Sequence, residues 1–147
     1  MKVKDLIFAS PVLSKAKLTR MDDLDKFNVI KAVRAIRIVT NEYDELVKDA
    51  QEKFKGENHD EMVLKAEVWN MKHSSGAPIP SEERADFAEL NGYFSEYNRL
   101  MNKFRSDEAE KEVSCDYPRL TEEAFGSLVS SNDFTVEEIL AIQTVLM

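Results

Sequence analysis

The chain has 147 residues, of which 43% are hydrophobic and 33% are charged, and its formal net charge is −8. This length and composition suit one folded domain and exclude a disordered chain, while four Gly and four Pro exclude a collagen-like or low-complexity chain. The single cysteine, Cys115, excludes an internal disulfide framework and fits a reducing compartment.

Two features of the sequence concern membranes and secretion. No apolar run reaches the roughly 18 residues that a membrane-spanning helix needs, so we expect no transmembrane helix. The N-terminal segment MKVKDLIFAS contains Asp5 inside its short apolar stretch, so we expect no secretory signal either.

Charge is distributed unevenly along the chain. Residues 1–40 carry nine Lys or Arg and four Asp, a local charge of +5, whereas the remaining residues carry −13. The acidic part argues against nucleic-acid binding, because neutralising phosphates needs a basic surface. Two interpretations stay open: the two parts attract one another within one fold, or residues 1–20 contribute to an interface that weakens at high salt.

The first third of the chain predicts two helices. Residues 5–17 indicate a short apolar helix or a strand leading into one, with Pro11 best tolerated in a first helical turn. Residues 22–54 then predict a long helix, which Asp22 or Asp23 caps and which ends near Gly56. Its apolar residues recur in steps of three and four: Leu24, Phe27, Ile30, Val33, Ile36, Val39, Tyr43, Leu46, Ala50 and Phe54.

The middle of the chain predicts a weaker helix, a loop and a second long helix. Residues 60–72 place Met62, Val63, Ala66 and Trp69 on one side, and residues 73–81 form a Pro- and Gly-containing loop. Ser81 is the expected N-cap of the helix over residues 82–105. The apolar stripe of that helix comprises Phe87, Leu90, Tyr93, Phe94, Tyr97, Leu100, Met101 and Phe104. Because neither long stripe can stay in water, the two long helices are expected to pack antiparallel.

Residues 112–147 predict a small C-terminal cap. Val113, Cys115 and Tyr117 alternate with polar residues, which indicates a short strand or extended segment. Thr121 is the expected cap of a short helix, and Thr135 opens the last helix through a capping box. The predicted fold is therefore mainly α: a long antiparallel helical hairpin with a short extended segment and a small helical C-terminal cap, in a single domain over residues 1–147.

The sequence contains few residues of the kinds that carry chemistry. His59 and His73 fall in polar segments and are expected to be exposed loop residues, and Cys115 is expected to be a small buried hydrophobe. Three His or Cys side chains cannot supply four zinc ligands, and the isolated glycines form no phosphate-binding loop. We therefore expect no catalytic residues, no metal site and no cofactor.

Two pairs of acids are the exception that supports an enzyme. Glu42 and Glu45 lie one turn apart on the first long helix, and Glu83 and Asp86 repeat the spacing on the second. The arrangement is similar to the ExxE…ExxD pattern of all-helical nucleoside-triphosphate pyrophosphohydrolases, and that resemblance implies a Mg²⁺ site between facing helices. Asn41 stands where that family has a further acid, and 28 acidic residues make chance matches expected.

The aromatic residues have the helical spacing of a core stripe, and basic residues do not interleave densely with them, so they predict packing and not base stacking. Trp69 is open to two interpretations. It either fills the core, which we favour, or anchors a partner beside the Pro- and Gly-containing loop.

Two stretches carry a further resemblance. The helix through NEYDELVKDAQEKF and the ending EVSCDYPRLTEE…FTVEEILAIQTVL resemble small uncharacterised proteins encoded among phage and prophage structural genes. The resemblance spans residues 20–55 and 110–147, and the segment between them looks like an insertion. It implies the same helical plan and a role as a virion component or assembly factor.

The predicted function is therefore that of a non-enzymatic structural or assembly protein. It would act through contacts with other protein subunits, its own copies or phage or host proteins, in an oligomer or larger assembly in the cytoplasm or the virion. Two alternatives are an acidic inhibitor or binding module of the anti-defence type, and the metal-dependent pyrophosphohydrolase.

Overall fold

Helices dominate the computed structural model of the protein, which describes residues 1–74, 76 and 78–147; positions 75 and 77 of the predicted 73–81 loop lie outside the described residues. The α-helices are α1 (Val3–Ser14), α2 (Asp23–Phe54), α3 (His59–Lys72), α4 (Arg84–Ala109), α5 (Glu122–Ser130) and α6 (Val136–Leu146). The mainly α fold class is confirmed. The described ranges contain no strand, and α2 and α4 are their two longest helices, which is compatible with the predicted hairpin.

Most predicted helix ends agree with the structure. The carboxylate of Asp22 accepts a hydrogen bond from the backbone N–H of Asp25 at 2.8 Å, so Asp22 caps α2. Thr121 caps α5 by accepting from the N–H of Ala124 at 3.1 Å. Thr135 and Glu138 form the predicted capping box at the start of α6.

The start of α4 differs from the prediction. Ser81 is not its N-cap, because residues Ser81–Glu83 form a 3₁₀ turn and α4 begins at Arg84. Pro80 stands at the boundary with extended backbone (φ −58°, ψ 145°), and no side chain caps the turn. The ring of Pro80 fixes its φ angle, so it sets the direction in which the chain enters the turn although no hydroxyl side chain caps it.

Within α1 the helix continues through Pro11, so the strand alternative for residues 5–17 is wrong. Proline in a helix interior removes one backbone hydrogen bond. Pro11 is exposed, whereas the opposite side of α1 places Leu6, Ala9, Val12 and Leu13 in the core. Burial of these apolar residues stabilises the helix although Pro11 has no backbone N–H to donate.

The described residues pack as two compact units: unit 1 comprises Met1–Leu46 and Asp107–Met147, and unit 2 comprises Val47–Ser106. The boundaries fall within α2 and α4, so both helices contribute residues to both units. The single domain over residues 1–147 remains a prediction.

Unit 1 has the larger hydrophobic core, to which α1, α2, α5 and α6 all contribute. Its α2 residues are Val29, Ala32, Ile36 and Val39. The predicted stripe is therefore wrong at Leu24, Phe27, Ile30 and Leu46, which are exposed. The apolar residues of α2 surround much of the helix, so two registers with steps of three and four exist, and packing against the other helices selects one.

The extended segment that begins at Glu112 in unit 1 forms a single β-bridge and no β-strand. Lys2 and Glu112 form an isolated antiparallel bridge, in which the N–H of Val113 donates to the carbonyl of Met1 at 2.8 Å. After it, Val113, Cys115 and Tyr117 are half-buried and their neighbours Ser114, Asp116 and Pro118 are exposed, so the alternation is confirmed.

Opposite charges meet inside unit 1. Lys2 and Lys4 each lie 2.6 Å from the carboxylate of Glu110, and Lys15 lies 2.9 Å from that of Glu138. The structure therefore contains the attraction of basic and acidic parts within one fold. Within residues 1–20, Leu6, Ala9, Val12 and Leu13 are buried in the core, and Met1, Val3, Ala16 and Leu18 pack against it partly buried. Phe8 is the large apolar residue of this segment that is exposed.

The two salt bridges of Glu110, to Lys2 and Lys4, predict that the free energy of unfolding depends on pH in the acid range. Hydrogen bonds from Lys2 and Lys4 lower the pKa of Glu110 from its ordinary value of 4.5 to about 2. The folded pKa is below the unfolded one, so this stabilisation is complete above pH 4.5 and is lost as the pH falls towards 2. In the Glu110→Gln variant the free energy of unfolding should therefore decrease less steeply between pH 4.5 and pH 2 than in the wild type, as measured by urea titrations at several pH values.

Asp116→Asn, which removes an exposed acid of unit 1, is the control and should show the wild-type pH dependence of the free energy of unfolding. The wild-type pH dependence in Glu110→Gln would contradict the assignment.

Candidate functional site: the cleft between α3 and α4

Unit 2 contains a cleft of about 410 Å³ between α3 and the beginning of α4. We call it the α3–α4 cleft. Its lining residues are Glu61, Leu64, Lys65, Val68, Trp69 and Lys72 on the α3 side, and Glu83, Asp86, Glu89 and Leu90 on the α4 side.

The helical period brings these side chains together. On α3 the lining positions are mostly separated by three or four residues, which places them on one face. The two helices run antiparallel, because His59 at the start of α3 contacts Tyr97 of α4, whereas Trp69 near its end contacts Phe87. Met62 and Leu90 are buried in unit 2, and Phe54 of α2 contacts Phe104 with ring centroids 6.3 Å apart. These contacts hold the walls of the cleft.

Trp69 occupies one wall of the α3–α4 cleft. Its ring centroid lies 4.1 Å from that of His73 and 5.4 Å from that of Phe87, and the side chain is half-buried. Phe87 itself is exposed, which corrects its predicted place in the core stripe. Phe87 lies in the first turn of α4 and contacts Trp69 of α3. Trp69 therefore both packs within unit 2 and presents a face to the cleft.

A small polar cluster closes one end of the cleft. Glu83 pairs with the ammonium of Lys72, and its Oε2 lies 2.9 Å from Nε2 of His73. Neither of these two atoms has another hydrogen-bond partner in the described part of the chain. The hydrogen bond from Lys72 is the main reason that the pKa of Glu83 is lowered. The cluster therefore presents a carboxylate that is already paired with the ammonium of Lys72.

Both histidines depart from their predicted exposed loop positions. The side chain of His73 is 13% exposed, because Trp69 and Glu83 cover it. His59 is the first residue of α3, and its Nδ1 lies 2.6 Å from the Tyr93 hydroxyl. His59 is therefore covered by aromatic residues of α4 and His73 by Trp69 of α3 and Glu83, although the polar sequence neighbours of both histidines predict exposure.

The four acids of the pyrophosphohydrolase pattern fall in different units. Glu42 and Glu45 are exposed in unit 1, and Glu83 and Asp86 line the cleft of unit 2. Over residues 1–74, 76 and 78–147, no group of three or more His, Cys, Asp or Glu side chains is arranged to hold a metal ion. Cys115 is half-buried, and burial raises the pKa of its thiol.

The cleft is suited to apolar contact. Leu64 and Val68 line it while remaining 62% and 64% exposed, and Lys65 and Asp86 place opposite charges at its edge. Sequence reasoning omitted Leu64, Lys65, Val68 and Lys72, although the spacing of four between Leu64 and Val68, followed by Trp69, was the signal that could have found them.

Comparison of the chain with protein-family models, curated proteins and solved structures found no significant match. Among its described helices, none combines the length and the apolar character required to cross a bilayer.

Proposed function

We propose that the protein is a non-enzymatic structural or assembly protein that acts through contacts with other protein subunits. The protein would act in the cytoplasm or in a virion, as a phage virion component or an assembly factor. The resemblance of residues 20–55 and 110–147 to proteins of phage and prophage structural gene regions supports this location.

The observation that carries the proposal is the exposed apolar surface at the α3–α4 cleft. Leu64 and Val68 stand beside half-buried Trp69, so the cleft offers an apolar floor with a charged edge. An aromatic residue within such a surface is the usual anchor of a protein interface. A partner helix that inserts an apolar side chain here would bury surface that the chain itself leaves in water.

The experiment measures complex formation with the products of the neighbouring genes. Size-exclusion chromatography with light scattering should detect a complex heavier than the 16.9 kDa chain. Val68→Glu should weaken that complex at least tenfold, because it places a carboxylate on the apolar floor. Trp69 is the only tryptophan, so its emission should shift when the complex forms.

Asn70→Glu is the matched control, since Asn70 is exposed on α3 and does not line the cleft. It adds the same charge two residues away and should leave the complex intact. Failure to form any complex with those products would contradict the proposal. Manganese-dependent pyrophosphate release from nucleotides that is lost in Glu45→Gln would replace it with the enzyme.

A further inference from the structure

The outer face of α2 in unit 1 carries an apolar and basic stripe that the core does not use. The stripe consists of Leu24, Phe27, Lys31, Arg34 and Ile38, which are all exposed and follow one another in steps of three and four. Residues with that spacing lie along one face of a helix. The stripe therefore has apolar side chains at both ends and two positive charges in the middle.

The two positive charges of the α2 stripe have no acidic partner within the described residues. The Nζ of Lys31 lies 4.6 Å from the centroid of the Phe27 ring, a cation–π contact, and neither Lys31 nor Arg34 forms a salt bridge with the described acids. By contrast, Lys2, Lys4 and Lys15 of the same unit all pair with acids. Lys17, Arg20, Lys26 and Arg37 likewise form no salt bridge with the described acids, so the stripe is one part of the basic segment whose charge remains unmatched, and it is the part that lies between exposed apolar side chains of α2.

Unit 1 also carries a surface of the opposite charge. A groove of about 520 Å³ lies between α1 and α6, and we call it the α1–α6 groove. Its lining residues are Asp5, Phe8, Val12, Glu137, Glu138, Leu140, Ala141 and Thr144. Phe8 and Leu140 are exposed at its surface although both are large and apolar.

The α1–α6 groove is acidic overall. Asp5 accepts a hydrogen bond from the N–H of Lys2, Glu138 pairs with Lys15, and Glu137 has no salt-bridge partner in the part of the chain that the structure describes. Three carboxylates against one paired lysine leave the groove negative. The groove therefore matches the α2 stripe in both respects, with apolar side chains to cover and charge of the opposite sign.

We propose that the α2 stripe of one copy docks into the α1–α6 groove of a second copy of this chain. The contact would pair Lys31 and Arg34 with Asp5 and Glu137 and bury Phe27 against Phe8 and Leu140. Contact of two stripes, or of two grooves, would bring like charges together, so the two different surfaces must meet. This inference rests on the proposed function, since it names one of the protein subunits through which the chain assembles.

The test uses the purified full-length protein alone and measures its mass by sedimentation over a range of concentrations. The wild type should rise above 16.9 kDa as concentration increases, and it should return towards that mass in about 1 M salt, where screening shortens the electrostatic range to about 3 Å. Phe27→Asp in the stripe and Leu140→Lys in the groove should each weaken self-association at least tenfold. Both positions are exposed, so circular dichroism should show unchanged helix content.

A mixture of the two variants separates this contact from other causes of dissociation. Leu140→Lys keeps a normal stripe and Phe27→Asp keeps a normal groove, so an equimolar mixture should recover a heterodimer. Ser114→Asp in the segment before α5 and Gln143→Lys on α6 are the matched controls, because both are exposed and lie outside the two surfaces. They should associate like the wild type.

Several results would overturn the inference. One is a monomer at every concentration, and another is a mixture of the variants that stays monomeric. Binding of the monomer to anionic phosphatidylserine vesicles that Phe27→Asp abolishes would assign the stripe to a membrane surface instead. A wild type that is monomeric alone but forms the complex with neighbouring gene products would refute self-docking and leave the proposed function standing.

Discussion

Replacing Ile36 with Asp is expected to unfold unit 1. Ile36 is 1% exposed and packs in the core that α1, α2, α5 and α6 share. No cation lies in that core, since the described residues include no buried polar or charged side chain. An unpaired buried charge costs several kcal/mol, which is a large part of the roughly 5–15 kcal/mol that stabilises a domain. Thermal and urea unfolding followed by circular dichroism measures the loss.

Ile38→Asp provides the control for this prediction on the same helix. Ile38 is 63% exposed, so the same carboxylate stays in water there and should change the free energy of unfolding by less than about 1 kcal/mol. The side chain of Ile38 belongs to the α2 stripe, so this variant should fold normally even where it alters association. If Ile36→Asp melts like the wild type, the buried face of α2 has been assigned incorrectly.

The second large effect is expected from Leu90→Asp in unit 2. Leu90 is 8% exposed and belongs to a small core with Ala50, Met62 and Met101. Because few residues form that core, one buried carboxylate removes a large share of its stabilisation. Trp69, the only tryptophan, lies in unit 2, so its fluorescence reports the loss of this unit directly. The emission should move to longer wavelength, and helical circular dichroism should fall.

Asn91→Asp is the matched variant, since it creates the same side chain one residue further along at an exposed position. It should retain the wild-type emission and melting behaviour. A wild-type Trp69 spectrum in Leu90→Asp would show that the α4 residues facing α3 do not form a core.

Local interactions are what the sequence predicts well in this protein. Asp22, Thr121 and Thr135 were expected to cap helices, and each accepts the hydrogen bond that a cap requires. These bonds join residues three positions apart, so they depend on side-chain type and spacing alone. The same holds for the end of α2 before Gly56 and for the alternation that begins at Val113.

The buried face of α2 depends on more than its own sequence. Leu24, Phe27 and Ile30 satisfy the helical period as well as Val29, Ala32 and Ile36 do, yet only the second set is buried. Which of the two sets is buried depends on where α1, α5 and α6 pack against α2, and the sequence of α2 alone does not predict those positions. Leu24 and Phe27 of the exposed set belong to the α2 stripe, so the same ambiguity in the sequence affects the assignment of both the core and a candidate interface.

The α3–α4 cleft was likewise only partly visible from the sequence. The sequence indicates Trp69, Glu83 and Asp86 as candidate residues for separate reasons, and the polar neighbours of His73 predict that its side chain is exposed. The contact of His73 with Trp69 is local, four residues apart at the end of α3, whereas the return of the chain towards α4 brings Glu83, ten residues away, against His73. By itself, therefore, the sequence determined the helical segments, the caps at Asp22, Thr121 and Thr135 and the uneven charge, because those follow from neighbouring residues. Only the tertiary structure decided which apolar faces are buried and which charges meet, because those depend on contacts between segments distant in the chain.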